Sequence, residues 1–398
     1  MRGTRIALTL VFLADGLMIG SWAARIPSVQ HQAQLTTASL GVALLAMSLG
    51  ALLAMPLAGW LGERIGSRAV TLAALVGGSI ALLLASLATD LPALAAALVV
   101  FGAGFGAINV SANAQGLALE RLVGRPILSS FHAAFSAGAL AGAGIGALAA
   151  SAGIGPRAHY AALAITLAAG VLLGGRQLLP HDPGHARAAP VLTRPPRGLV
   201  LLGAAAFFTL LAEGAAADWT AVYLSHSLGA TAAVAALGYT AFSLAMATSR
   251  VVGDRLNSSL GPEALARGGG LVAATGLGLA LVVGSTPAAL AGFAVMGAGV
   301  GVIVPVVFRA AGSTAGVPPG VGIAAVSTIG WLGFLAGPPA IGFAASAVGL
   351  RTALAIVVIS TSMISLLARS TAPPRHPRAT NHASATLAST SPRTRACA

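Results

Sequence analysis

Lysine is absent from this 398-residue chain, cysteine occurs once, at Cys397, and charged residues make up only 8%. Each shortage excludes something. Without lysine there is no Gly-x-x-x-x-Gly-Lys-Ser/Thr phosphate loop, so ATP-driven work of that kind is ruled out. One cysteine excludes an internal disulfide framework and a cysteine metal cluster. A soluble domain carries roughly 25% charged residues. A chain with 8% cannot cover a globule with a water-loving surface. There is also no Gly-x-Ser-x-Gly elbow, no zinc-ligand helix and no catalytic cluster. The sequence therefore implies neither an enzyme nor a cofactor or metal.

What is abundant is apolar: 57% hydrophobic residues and 51 glycines. Apolar stretches recur that are long enough to cross a hydrocarbon core of ~30 Å. Helices satisfy their own backbone hydrogen bonds in lipid, and the short alternating segments of a β-barrel are missing. Glycine fits this setting, because small residues let membrane helices pack closely. The expected fold is an all-α membrane protein with about twelve spans. They are placed at 6–26, 38–60, 69–88, 92–118, 128–152, 158–175, 199–224, 232–252, 268–284, 287–309, 320–346 and 351–368. Arg2 and Arg5 before an apolar run resemble a signal peptide, but Asp15 interrupts that run, so a retained first helix is expected.

The net charge of +13 comes from arginines scattered over short loops and the tail, which is no nucleic-acid signature. With the N-terminus inside, 19 of the 22 arginines fall on the cytoplasmic side. Only Arg25, Arg157 and Arg351 fall outside, as the positive-inside rule requires. A multi-pass protein of a cell inner membrane with both termini cytoplasmic is the expectation.

Residues 176–198 form a Pro-, Arg- and His-rich linker between an N-terminal half (1–175) and a C-terminal half (199–369). Residues 370–398 read as a disordered cytoplasmic tail. The halves repeat weakly. Asp15-Gly16 and Trp22 match Glu213-Gly214 and Trp219, and Leu40-Gly41 matches Leu237-Gly238. Gly62-Glu63-Arg64 matches Gly253-Asp254-Arg255 at a shorter offset, which implies a deletion of about six residues in span eight. Gly138, Gly142 and Ser151 match Gly333, Gly337 and Ser346. Duplicated six-helix halves are a common plan of secondary transporters, with the substrate near the midplane between them.

Gly59-Trp-Leu-Gly-Glu63-Arg64-Ile-Gly66-Ser-Arg68 resembles the loop motif between spans two and three of the major facilitator superfamily. Glu63 replaces the commoner Asp, and Ser67 a usual basic residue. The resemblance covers residues 1–368, with Asp254 and Arg255 as a degenerate second copy. Three stretches look like a bacterial permease branch near the fucose permeases and a rhizopine-associated membrane protein. They are Ser21–Pro27, Asn109–Gln115 and Glu213–Trp219. The resemblance implies that Glu63, Arg64 and Arg68 form a charge relay latching the halves in the outward-open state. The plainer reading is inside-loop charge that sets topology. The Gly-Pro motif linked with antiporters is missing from span five, and Gly337-Pro338-Pro339 sits in span eleven instead.

Charge inside a membrane is costly and marks function by default. Asp15 and Glu213 lie near the centres of spans one and seven, and Asp218 lies nearer the outer end of span seven. Every arginine falls near a span end or in a loop, and Arg25 lies about 15 Å along the helix from Asp15, which excludes an ion pair within that helix, although another helix could supply a partner. An apolar surround disfavours a bare negative charge, so an unpaired carboxyl there can take up a proton. All three are proton-coupling candidates; packing through a hydrogen bond to another helix is the alternative. Asn109 and Asn113 share one face of span four, with Gln115 close by. Their amides suit a sugar or polyol, or else hold helices together. Trp331 is a further pocket candidate, with Tyr239 and Phe242 weaker. His132 is read as structural, and Trp22 and Trp219 as outer-interface anchors.

Together these features point to a secondary transporter of a small polar solute such as a sugar or polyol, coupled to protons and functional as a monomer in the lipid bilayer. An exporter of amphipathic compounds is the alternative within transport. A transporter-like solute sensor is the alternative from another class, although no signalling domain is evident.

Overall fold

The computed structural model describes residues 1–124, 127–180, 196–317 and 319–372, without the side chains of 129, 254, 319, 320 and 324. Most of the linker and nearly all of the tail lie outside the described residues, as do Cys397 and the Asp254 side chain. The first half contains α1 (Arg2–Gln32), α2 (Thr37–Ile65), α3 (Ser67–Ala85), α4 (Leu91–Val123), α5 (Leu128–Ser151) and α6 (Pro156–Gly174). The second contains α7 (Arg197–Val222), α8 (Ala232–Leu260), α9 (Pro262–Val283), α10 (Thr286–Val300), α11 (Ile303–Gly312), α12 (Pro319–Val348), α13 (Leu350–Ala353) and α14 (Ala355–Leu367). Together they make 12 helical spans long and apolar enough to cross a membrane. The tenth span is α10 with α11, the eleventh is α12, and the twelfth is α13 with α14.

Local chemistry sets the ends. Thr36, Asp90 and Thr231 each accept a hydrogen bond from the backbone N–H three residues on, capping α2, α4 and α8. Pro156 and Pro262 start α6 and α9, where a missing N–H costs nothing. Gly66 joins α2 to α3 at φ +85°, and Gly261 joins α8 to α9 at φ +78°. Glycine adopts that region without a Cβ penalty.

These turns correct the repeat register. α2 and α8 each span 29 residues, so span eight carries no deletion. The structural mate of Gly66 is Gly261, and Arg255 sits inside α8, more than a turn before the α8–α9 corner. Identity matching failed here because Gly-acidic-Arg recurs one turn early. Arg250, expected at the span's cytoplasmic end, is likewise inside the helix. Arg25 is not at a helix end either. α1 continues past it to Gln32, and Arg25 is 3% exposed. Its guanidinium donates to the Ile154 carbonyl at 2.6 Å and more loosely to that of Gly146, near the end of α5.

The two halves pack by the same plan. α1 lies on α5, α2 on α4, and α3 on α4 and α6. Correspondingly, α7 lies on α12, α8 on α10, and α9 on α10 and α14. α1 and α5 touch backbone to backbone through reciprocal glycines. A Cβ on Gly16 or Gly20 would run into the Phe135 or Ala139 carbonyl, and one on Gly138 or Gly142 into that of Leu13 or Leu17. Gly333 repeats this against Phe207 of α7.

Between the halves, α5 packs on α8, the repeat-related pair α12 and α2 packs likewise, and α1 meets α7 and α8. The face carrying Met1 is termed the terminal face, and the opposite one the far face. Near the far face the halves close tightly. A Cβ on Gly342 would lie 3.0 Å from the Gly41 Cα and 3.4 Å from the Trp219 ring. The mates of Gly41 and Gly342 in this register, Ala236 and Ala147, form a buried cluster with Ala24. α4 and α10 form no substantial seam with each other.

Candidate functional site

A cavity of about 350 Å³ lies between the halves, within the size range of small-molecule sites. Its walls come from α1, α2, α4 and α5 on one side and α7, α8, α11 and α12 on the other. Both members of the central pair, α1 and α7, contribute acids: Asp15 from one, Glu213 and Asp218 from the other. Each of the two mid-helix acids is followed by a glycine that lets a neighbour approach. Gly16 backs onto α5, and Gly214 onto Phe334 of α12.

The three carboxylates differ in partners. Glu213 is paired: Arg250 Nη2 donates to its Oε1 at 3.2 Å. The same guanidinium donates through Nη1 to Ser136 Oγ of α5 at 3.4 Å and through Nε to the Gly301 carbonyl at 3.3 Å. The Gly301 carbonyl is free for this because residue 305, four positions on, is a proline without an N–H. The tenth span breaks there, between α10 and α11. The arginine thus ties α7, α8, the break in the tenth span and a helix of the other half. Another helix thus supplies the partner of Glu213: Arg250, which hydropathy puts at the end of span eight, lies well inside α8.

Asp15 is 4% exposed and its Oδ1 has no hydrogen-bond partner. Asp218 lines the cavity rather than lying solvated at the outer face, and it has no hydrogen bond or ion pair among the described residues.

Aromatic rings form a continuous run across the cavity from one half to the other. Phe135 faces Phe105 at 6.3 Å between centroids, Phe105 faces Trp331 at 6.2 Å, and Trp331 faces Phe334 at 5.4 Å. Tyr239 and Phe242 stack at 6.0 Å on the α8 wall. Asn109, Ser48, Ser136 and Ser243 add polar groups, and the buried Ser243 hydroxyl lies beside that of Tyr239. His132 also lines the cavity.

Of the amides on α4, Asn109 reaches the cavity, whereas Asn113 donates to the Asn109 carbonyl at 2.6 Å. Gln115 is away from the cavity and fully engaged. Its Nε2 donates to Ser67 Oγ at 2.7 Å and to the Leu179 carbonyl at 2.8 Å, while its Oε1 accepts from Leu179 N–H at 2.9 Å. Trp22 and Trp219 are both buried, not interface anchors; Trp22 lines the cavity and Trp219 packs in the far-face seal.

In the loop motif, the Arg64 guanidinium sits 4.1 Å over the Trp60 ring. Glu63, Arg64 and Arg68 make no ion pair among the described residues. Gly59 has open space around it.

Residues 6–212 match the model of the Major Facilitator Superfamily. The chain belongs to the major facilitator superfamily. It is a multi-pass membrane transporter, not an enzyme, and proteins of this superfamily carry small-molecule solutes. A Yersinia pestis protein named as an uncharacterized MFS-type transporter is 35% identical over 92% of this chain and 95% of its own length. Membrane protein MosC of Rhizobium meliloti is 36% identical over 89% of this chain and 88% of its own. Among solved structures, a D-xylose-proton symporter superposes with a TM-score of 0.71 at 17% identity, covering 92% of this chain and 97% of that one. The nucleoside transporter NupG gives 0.69 at 14%, covering 93% and 98%. At those identities the likeness is one of fold.

Proposed function

We propose that this transporter moves a small polar solute such as a sugar or polyol, coupled to protons, by alternating access. The observation that carries the reading is the shared cavity. Acids from both central helices face one space between the halves, and Arg250 bonds across from Glu213 to Ser136 of the other half. Protonating Glu213 removes its attraction for the guanidinium and loosens a tie between the halves. Asp15 and Asp218 are the further carboxyls available to protons or solute. Asn109 and the serine hydroxyls supply donors and acceptors for a polyol, and Trp331 a face for a ring.

In this reading, residues 1–175 and 199–369 are the moving halves, 176–198 their linker and 370–398 a tail. The single chain works as a monomer in a cell inner membrane with both termini cytoplasmic. The far-face closure then corresponds to an inward-open arrangement. The aromatic run favours one second reading, export of amphipathic compounds.

The test uses purified protein in liposomes containing a pH-sensitive dye. Candidate sugars, polyols and cationic amphiphiles are added outside. Solute-dependent proton movement abolished by Glu213→Gln or Asp15→Asn supports coupling and identifies the solute class. Uptake of labelled solute without proton movement leaves a uniporter. Binding without uptake leaves a sensor.

A further inference from the structure

Arg25 is a buried charge without an acid. It is 3% exposed, and no carboxylate pairs with it among the described residues. Two of its nitrogens are spent on the Ile154 and Gly146 carbonyls, whereas its Nε–H has no acceptor. The C-terminal end of α5 brings only the partial negative charge of a helix end, about half an elementary charge, so the guanidinium is not neutralised. His159 of α6 stands beside it, 6% exposed, and its Nδ1 also lacks a partner. Both side chains flank Gly146. A Cβ there would lie 3.7 Å from His159 Cε1, the atom bonded to Nδ1, and 3.9 Å from Arg25 Cγ, two bonds from Nε. α6 starts at Pro156 in the same corner without a side-chain cap, so its positive end adds to the field. Neither Arg25 nor His159 lines the cavity between the halves.

We propose that Arg25 and His159 hold a small inorganic anion, chloride or one of similar size, at the far-face end of the first half. The anion accepts from Arg25 Nε and from His159 Nδ1, with the ring proton on Nδ1. The guanidinium's charge and the anion's then cancel. A water molecule in the same place would satisfy both nitrogens but leave the buried charge uncompensated, which is strongly disfavoured. Both side chains are more than nine-tenths buried, which favours an ion of atomic size over a lipid headgroup or an organic acid. The ion is a fixture of the fold rather than cargo. It ties α1 to α6 at the α5–α6 turn, whatever solute the cavity takes.

The test is thermal unfolding of the purified full chain in detergent, with sodium chloride exchanged for sodium gluconate at constant ionic strength. An ion that binds the folded chain stabilises it by mass action. The melting temperature therefore rises saturably with chloride, by about 2–3 °C at about ten times the half-saturating concentration. Bromide substitutes for chloride, and gluconate does not. His159→Phe keeps a ring against Tyr160 but has no N–H, and it abolishes the chloride dependence. His159→Asn, whose amide nitrogen lies near the Nδ1 position, retains it. Crystals of the parent chain soaked in bromide give a readout that needs no variant: an anomalous peak beside Arg25 Nε. Equal melting in chloride and gluconate overturns the proposal and leaves a water in that place. So does a dependence that tracks ionic strength alone or survives His159→Phe, or bromide found only away from Arg25.

Discussion

Two glycines on α5, two residues apart, should respond to alanine with opposite signs. Gly142 lies against α1, where a Cβ would sit 2.2 Å from the Leu17 carbonyl oxygen and 2.9 Å from Ser21 N. Gly144 has nothing within 4 Å of its Cβ position. Ordinary contact begins near 3.4 Å, so Gly142→Ala leaves a shortfall of about 1.2 Å, and overpacked cores lose about 1–3 kcal/mol. Both obstructing atoms are backbone, which no rotamer change can move, so the upper end of that range is expected. Parting the helices also weakens the Ser21 hydroxyl's bond to the Gly142 carbonyl and Arg25's to Gly146. Gly144→Ala adds no clash and removes unfolded-state entropy, a gain of about 0.4–1 kcal/mol. The assay is thermal unfolding of both variants in one detergent at one scan rate. Gly142→Ala should melt about 3–4 °C below the parent, and Gly144→Ala at or slightly above it. Equal melting temperatures would refute the claim that α1 and α5 meet through their backbones.

Other predictions follow from the site and its supports. Arg250→Ala and Glu213→Gln should each destabilise the protein, and the double variant should lose about 1–2 kcal/mol less than their sum, read from a double-mutant melting cycle; strict additivity would mean that the pair at 3.2 Å contributes nothing. Gln115→Ala strands the Leu179 N–H and should cost about 1–3 kcal/mol in the same assay without changing solute affinity, and a fall in affinity would return Gln115 to the binding site. Gly342→Leu wedges the far face, where its Cβ would lie 3.0 Å from the Gly41 Cα. In a Cys397→Ser background carrying Ala217→Cys on the cavity wall, it should speed labelling by an impermeant thiol reagent added at the far face, and unchanged labelling would count against the seal.

The spans were legible because hydropathy and arginine placement both repeat along the chain. Span ends were not, because α1 and α8 run on to Gln32 and Leu260, past the ends that hydropathy gives at 26 and 252, so Arg25 and Arg250 lie well inside their helices. That one boundary hid the partner of Glu213. The threonine caps carried the correct register: Thr36 and Thr231 stand 195 residues apart, as do Gly66 and Gly261. Gln115 was misread for another reason. Spacing along one helix tells which residues share a face, not which neighbour that face meets, and Gln115 meets the stretch at Leu179. Asp15 and Glu213 stand 198 apart, about one turn off the offset of 194 at which Leu13 and Phe207 meet Gly138 and Gly333, yet both reach the cavity from corresponding helices.

Pro305 touches neither acid, yet it decides where the guanidinium is moored. By withholding an N–H it leaves one carbonyl at the joint between α10 and α11, and Arg250 is tied to that joint on one side and to Glu213 on the other. A flexure of the tenth span therefore draws the guanidinium toward or away from its acid. Helix posture and ion-pair strength become two readings of a single coordinate.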